Sequence, residues 1–518
     1  MLGVVGGRKK PWYSIAMATL NKTSVREEVG RLKQEFDQLC SDGKVSPEIR
    51  AVMSSLLVVV DLILAIFLEK TTRKNNKNSS LPSSQTDKDE TAAAHGIETG
   101  KGRKLFGEIS NTRIKETVAV AWVETCDVCG VSLEKVPCRT YERRTKIDII
   151  FEKIVEHIDA EIKQCPNCEA MVKGSFPEDM PGRLQYGNGL KAFAIHLIIS
   201  QMVALNRVQK QISAMMGTVI SEATLLKFVL RLHLGLAEWE AGAIERILQA
   251  PSVHVDETSC RVEKKNHWIH VYSSGGTTLK LLHRKRGKEA IVGLDIIPRY
   301  GGVIIHDCWA SYLSYDHCSH GLCGSHLLRE LTFIVDSNHY RWAQNMKRLL
   351  KETCRTVAKR EEKCLTEAEY ANLQKRYRNI LTRGDKELPE IPEKEKGKRG
   401  RMAKSDAHNL WERLKEHEMA VLLFAKDPHV PFTNNRAERD LRMAKVKQKV
   451  SGCFRSEQYA RAYCRISSYL QTMAAQGVNP LVAIQLALAN TTPGAHTEIG
   501  REQLLILFKG AKNTLLEI

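Results

Sequence analysis

The chain lacks any uninterrupted apolar run of the roughly 18 to 20 residues needed to span a bilayer. Its most apolar stretch, AVMSSLLVVVDLILAIFLEK, is broken near its middle by Asp61, so a buried or partner-facing helix is expected there and no membrane partner. Cysteine is sparse, 14 among 518 residues, and several lie inside strand-like or helix-like runs. That excludes a disulfide scaffold and fits a reducing, cytoplasmic compartment. The opening MLGVVGGRKKPWYSIAMATL has no apolar core followed by a small-residue cleavage site, so no signal peptide is read, and Met17 is an alternative start. No repeat at a solenoid period is visible. With 43% hydrophobic residues the chain is not a disordered tail, and its length allows several domains with real cores.

Lys and Arg number 78 against 60 Asp and Glu, a net charge of +18, which favours a polyanionic partner such as nucleic acid. At the N-terminus, Ser24 with Glu27 reads as a capping box, and Val25, Val29, Leu32, Phe36 and Leu39 follow in heptad spacing. Residues 20–70 are therefore expected to form helices, either a short self-associating coiled coil or an intramolecular hairpin. Residues 71–116, rich in Lys, Asn, Ser, Asp and Gly, read as a linker.

Two Cys-x-x-Cys pairs follow, Cys126/Cys129 and Cys165/Cys168. Each offers two thiolates from one tight turn, and two such turns fill the tetrahedral shell of a structural zinc, so 117–185 reads as a zinc-ribbon-like domain. Residues 186–249 read as helices. Within them VQKQISAMMGTVISEATLLKFV suggests helix, turn at Gly217 and helix capped by Ser221, a pairing that can place its second helix in a DNA major groove.

From about Val253 the pattern becomes strand-like in SVHVDET, HWIHVYSSGG, TLKLLHRKR and GGVIIHDCW. The first three suit consecutive antiparallel strands. A helix from Lys288 to Ile296 then carries the chain to a fourth strand beside the first, which puts Asp256 and Asp307 on adjacent strands. A helical insertion at about 340–425 carries an apolar face of Trp342, Met346, Leu349, Leu350 and Val357, followed by the basic loop KEKGKRGRMAKS. Residues 491–518 form a C-terminal tail.

Asp256 and Asp307 stand at the ends of apolar runs, and Glu438 lies in the basic segment NNRAERDLRMAKVKQK. Acids on rigid strand ends and a nearby helix can hold two divalent metals across one phosphodiester. Glu257 and Asp440 compete for these roles, but on a helix Glu438 and Asp440 point about 200° apart, so only one can face a metal. Asn434 and Asn435 suit a cap for the helix bearing Glu438. Arg436, Arg439, Arg442, Lys445, Lys447 and Lys449 form a basic surface suited to DNA phosphates. Cys323 and His326, with His317, Cys318 and His320 nearby, make a metal-friendly stretch, whereas Trp268 and Trp309 suit the core.

The blocks HVDET, NHWIHVYSS, HRKRGKEA, HDCWASY, LCGSHLLREL, PFTNNRAERDLRMAKVKQKVSGCFRS and SYLQTMAAQGVNP together resemble the transposases of the insertion sequence 66 family. The resemblance implies a multidomain α+β protein with a ribonuclease H-like α/β catalytic core over 250–490. It also implies DDE chemistry, with Asp256, Asp307 and Glu438 as the catalytic acids holding two Mg2+ or Mn2+ ions, and cutting and joining of DNA. Structural Zn2+ on the four cysteines, terminal inverted repeats and target DNA as partners, a homo-oligomer on DNA, small accessory proteins and a bacterial nucleoid location complete the expectation. The alternative is a zinc-dependent DNA-binding protein that keeps the fold without catalysis.

Overall fold

The computed structural model describes residues 22–72, 78, 118–146, 153–391 and 404–490. It opens with two helices, α1 (Lys22–Ser41) and α2 (Pro47–Thr71), and then a small hairpin of β1 (Ile162–Gln164) and β2 (Met171–Lys173). Four helices follow: α3 (Asn188–Ile195), α4 (Leu205–Met216), α5 (Glu222–Gly235) and α6 (Ala237–Leu248). Next come β3 (Ser252–Val262), β4 (Lys265–Ser274), β5 (Thr277–His283), α7 (Lys288–Leu294), β6 (Val303–His306), α8 (Ala310–Leu313) and β7 (Ser319–Leu322). The chain continues through α9 (Gly324–Asn338), α10 (Arg341–Lys359), α11 (Glu367–Glu387), α12 (Asp406–Glu416) and α13 (Glu418–Leu422). It ends in α14 (Asn435–Ser451), α15 (Glu457–Ala475) and α16 (Pro480–Asn490).

The larger sheet has the order β5-β4-β3-β6-β7. β4 and β5 pair antiparallel, whereas β6 lies parallel to both β3 and β7. The strand runs and the connecting helix expected from the sequence are all present. β7 has no counterpart in the sequence pattern, because its four residues, Ser319–Leu322, are too short and too polar to show a period.

The chain divides into two compact units: Met1–Glu98 with Pro251–Val255 and Tyr300–Glu438, and Thr99–Ala250 with Asp256–Arg299 and Arg439–Ile518. The core of the first unit joins β6 and β7 to the helical insertion. Trp342, Met346, Leu349, Leu350 and Val357 are all buried there, in keeping with their spacing. Of the basic loop, only Lys404 and Ser405 fall within the described residues.

α2 is long and apolar enough by length and composition to cross a membrane. Its ties are nevertheless protein-internal. Leu62, Ala65 and Leu68 are buried, and Asp61 pairs with Lys33 of α1. Buried Glu69 accepts from Asn338 Nδ2 and from the N–H groups of Asp406 and Ala407 at the start of α12, where the helix dipole favours a negative charge. The helix α1 begins at Lys22, so Ser24 lies inside it rather than at its cap.

In the second unit, α15 covers β5, and the meeting is polar. The Lys280 ammonium, fully buried, donates to Ser467 Oγ (2.6 Å), and the Lys280 N–H donates to Ser468 Oγ (2.7 Å). Asp440 accepts from Ser273 Oγ (2.7 Å) and Thr278 Oγ1 (3.0 Å) on the neighbouring strands. Burial pushes Lys280 down to about 8, against a smaller opposing pull from Asp440. Between that value and the ordinary 10.5, the unfolded chain keeps a proton that the folded chain has released, so stability from this residue rises with pH across the window. Below it, the cost of burying the charge is constant. Urea unfolding of wild type and Lys280→Met from pH 7 to 10.5 should show the difference moving in favour of wild type above pH 8. A pH-independent difference would mean that Lys280 is neutral throughout or hydrated.

Candidate functional site

The site is built where β6 ends, α9 begins and α14 begins. Asp307 directly follows β6, and its Oδ1 accepts the N–H of Trp309 (3.2 Å). The next residue, Cys308, has φ of 71°, a left-handed conformation unfavourable for a side chain with a Cβ. Such strain is typically held in place by surrounding structure at functional sites. Here the Cys308 N–H donates to His306 Nδ1 (3.2 Å).

After β7 the chain turns into α9 at Cys323, whose N–H bonds the His306 carbonyl (2.9 Å). Gly324, the first residue of α9, is required by close approach. A Cβ there would lie 2.2 Å from the Phe432 ring, and the Gly324 N–H donates to the Phe432 carbonyl (2.8 Å). That approach brings the segment leading into α14 against the start of α9.

Asn434 occupies the cap position of α14, but its side chain does not cap. Nδ2 donates to the Val255 carbonyl (2.7 Å), so Oδ1 faces His254 Nδ1 (2.9 Å) and accepts from it. Its N–H points at the Cys323 sulfur (3.1 Å). The amide is instead engaged in a tertiary clasp, in which two buried groups on β3 find their partners. Asn435 is the first helical residue; its Oδ1 accepts from Ser325 Oγ at 3.5 Å.

Glu438 falls in the first turn of α14, and its Oε1 lies 3.6 Å from His326 Nδ1. Burial disfavours a charge on His326, yet the Cys323 sulfur, Glu438 and Asp307 outweigh it and raise the imidazole to about 9. Glu438 thus lies beside this imidazole, and the negative charge of Asp307 also acts on it. Asp256 is the residue after Val255 on β3; its Oδ1 accepts the Glu257 N–H (2.8 Å), and its charge favours protonated Lys445 of α14 against the dominant effect of burial.

The competing acids have structural partners. Glu257 pairs with Arg286 (2.7 Å), and Asp440 is held by Ser273 and Thr278. The helical alternation between Glu438 and Asp440 is therefore used: one carboxylate goes toward His326 and the other into the sheet. Of the basic set on α14, Arg439, Arg442 and Lys449 are exposed, whereas Arg436, Lys445 and Lys447 are half-buried. Burial lowers both Lys445 and Lys447 from the usual lysine range.

Each Cys-x-x-Cys pair forms a turn with the same bonding. The Cys126 N–H bonds the Val131 carbonyl and the Gly130 N–H bonds the Cys126 carbonyl; Cys165, Ala170 and Glu169 repeat the pattern. Gly130 (φ 72°) and Glu169 (φ 58°) take the left-handed position in the two turns. N–H groups directed at Cys126 and Cys165 hold both thiols below their usual range. Among the described residues, the group of three or more potential ligands with donor atoms within 4.8 Å is Cys323, His326 and Glu438, so the two cysteine turns do not meet at that distance. His317 and Cys318 are also outside it: the Cys318 thiol donates to the Tyr300 carbonyl (3.0 Å), and His320 pairs with His306 (3.0 Å). Trp268 is half-buried under the Arg286 guanidinium, and Trp309 is half-buried edge-on to Tyr312.

The helix-turn-helix expected around Gly217 is present. Gly217 ends α4 at φ 61°, Ser221 Oγ accepts the Thr224 N–H (3.1 Å) to start α5, and Gln209 Nε2 ties the turn through the Ile220 carbonyl (2.8 Å).

The clasp is testable. Asn434→Ala should lower unfolding stability by about 1 to 3 kcal/mol, because buried His254 and Val255 are each deprived of a partner. Asn434→Asp should not restore it, since the Nδ2 donor is gone. Denaturant titration checks both, and full stability in Asn434→Asp would show that the Val255 bond contributes nothing.

Residues 183–462, more than half of the chain, match the model described as Transposase IS66 family. No curated protein matches the chain. The family match covers more than half of the chain, which therefore belongs to the IS66 family of transposases, for which DNA is the implied substrate.

Proposed function

We propose that this protein is a DDE transposase that binds the terminal inverted repeats of its own element and cuts and joins DNA through Asp256, Asp307 and Glu438. The observation that carries the reading is the strand register. β3 and β6 pair in parallel as Ser252↔Val303, Val253↔Ile304 and His254↔Ile305, an offset of 51 residues, and the same offset relates Asp256 to Asp307. Because β3 lies between β4 and β6, this order also supports the ribonuclease H-like reading of the core.

In support of the third acid, Asn434 Nδ2 bonds the Val255 carbonyl, which ties the start of α14 to the residue before Asp256. Glu438 follows one helical turn later, its N–H bonding the Asn434 carbonyl (3.4 Å). An all-carboxylate set with an orphaned buried oxygen, Glu438 Oε1, fits hard divalent cations. Magnesium or manganese held by the three acids would supply an activated attacking oxygen and stabilise the departing one in an in-line displacement. The protein's own part is placement: the Trp309 N–H orients Asp307, the Glu257 N–H orients Asp256, and Arg286 keeps Glu257 out of competition.

Exposed Arg439, Arg442 and Lys449 offset the repulsion between an acidic site and a polyanion. The α4-turn-α5 unit supports DNA reading in the N-terminal half. The shared bonding of the two cysteine turns supports zinc on Cys126, Cys129, Cys165 and Cys168, an ion that would have to draw the two separate turns together.

The experiment is strand cutting and joining of element-end DNA with magnesium or manganese. Asp256→Asn, Asp307→Asn and Glu438→Gln should each lose roughly 100-fold or more in rate, as when a transition-state charge stabiliser is removed, while still retaining end DNA. Full activity in any of the three sinks the assignment. Replacing Arg439, Arg442 and Lys449 with Gln should flatten the salt dependence of DNA affinity by about 0.9 in slope for each phosphate left un-neutralised. An unchanged slope would place the DNA elsewhere.

A further inference from the structure

We propose that Cys323, His326 and Glu438 form a binding site for a zinc-class divalent cation, with a thiolate, an imidazole and a carboxylate as ligands. The site shares Glu438 with the transposase reading but adds nitrogen and sulfur donors that a three-acid site does not contain. It therefore rests on that reading only for its consequence, not for its existence.

The first ground is proximity: one donor atom from each residue lies within 4.8 Å of the other two. Tetrahedral zinc, with bonds of about 2.0 to 2.3 Å, holds its ligand atoms about 3.3 to 3.7 Å apart, a spacing that His326 Nδ1 and Glu438 Oε1 already have at 3.6 Å. The second ground is unmet bonding. His326 Nδ1 and Glu438 Oε1 are both buried, lie 3.6 Å apart and make no hydrogen bond. Buried polar atoms without partners are costly, and a cation between them satisfies both.

The third ground is that the donors are held in place before any ion arrives. Cys323 precedes the first turn of α9 and His326 follows three residues later, so both project from one end of that helix. The Asn434 N–H points at the sulfur (3.1 Å), which fixes its direction. Gly324 against Phe432 fixes how closely α9 and the segment before α14 approach. The donor set selects the metal: thiolate and imidazole favour zinc over magnesium, and three protein ligands leave a fourth position open, as in catalytic rather than structural zinc sites. Zinc there engages the carboxylate assigned as the third acid, so it should compete with magnesium for that side chain.

The test uses the full-length protein loaded with Zn2+, desalted, and assayed for zinc per chain. Whatever zinc the four N-terminal cysteines hold is common to every variant. Cys323→Ser and His326→Ala should each lose one equivalent relative to wild type. With Co2+ in place of Zn2+, the thiolate-to-cobalt absorption should fall in Cys323→Ser. Glu438→Gln, altering a side chain that reaches solvent, should fold normally and weaken the site's zinc affinity by about tenfold or more. Equal zinc counts and cobalt spectra in folded variants overturn the proposal, and so does unchanged zinc affinity in Glu438→Gln. Magnesium-supported cutting that needs Asp256 and Asp307, with full zinc retained in Cys323→Ser, sinks this site and leaves the transposase reading standing. Zinc released as expected from a protein that never cuts DNA does the reverse.

Discussion

The side chain of Asn434 bonds two groups of β3 at once: its amide oxygen faces His254, and its amide nitrogen holds the Val255 carbonyl. Its backbone N–H meets a second element, the start of α9, through the Cys323 sulfur. A short primary amide carries its donor and its acceptor on separate atoms; ionised Asp lacks the donor, and Ser or Thr has both on a single oxygen. Apart from Asp307 at the end of β6, the side chains assigned to the site project from the three places it joins. Asp256 is the next residue on the strand, His326 lies one turn into α9, and Glu438 lies one turn into α14. A buried amide bonded at both its oxygen and its nitrogen is also held in one orientation, which is what a constellation of ligands requires.

The same helix that presents Glu438 also presents Asp440, and the two carboxylates have opposite fates for a geometric reason. Residues two apart on a helix diverge by about 200°, so one faces the His326 imidazole while the other enters the hydroxyl pair of Ser273 and Thr278. Ala437, Leu441 and Ala444 bury the stripe between them. A charge-rich segment such as NNRAERDLRMAKVKQK is thus neither a solvated face nor simply a DNA-binding stripe. Its polar residues are divided among site, sheet and solvent by angle alone.

Much of this is legible from the sequence wherever the signal is local. The strand runs of β3 to β6, the apolar face led by Trp342, and the turn at Gly217 with its Ser221 cap all follow from periodicity and backbone chemistry. What is not legible depends on tertiary competition. Asn434 looks like a cap because cap preference is local, but buried groups on β3 claim its amide. Lys280 looks like a strand residue with one face in water, yet it is fully buried against two serines of α15 that lie nearly two hundred residues away. Cys323 and His326 show themselves as a Cys-x-x-His at a helix start, but nothing in their neighbourhood announces that Glu438 completes the set.

The strained backbone after Asp307 shows how the site is supported from behind. His306 is buried, and that burial, with the charges of His320 and His417 against it, pushes its imidazole down to about 3. A neutral ring has one acceptor and one donor nitrogen. Because Nδ1 accepts the Cys308 N–H, Nε2 carries the proton and donates to His320 Nδ1. Holding the ring neutral therefore keeps an acceptor under the left-handed Cys308, which would otherwise carry both an unfavourable φ and an unsatisfied donor. The direction in which Asp307 leaves β6 thus depends on a histidine that takes no part in the chemistry, and it depends on that histidine remaining uncharged.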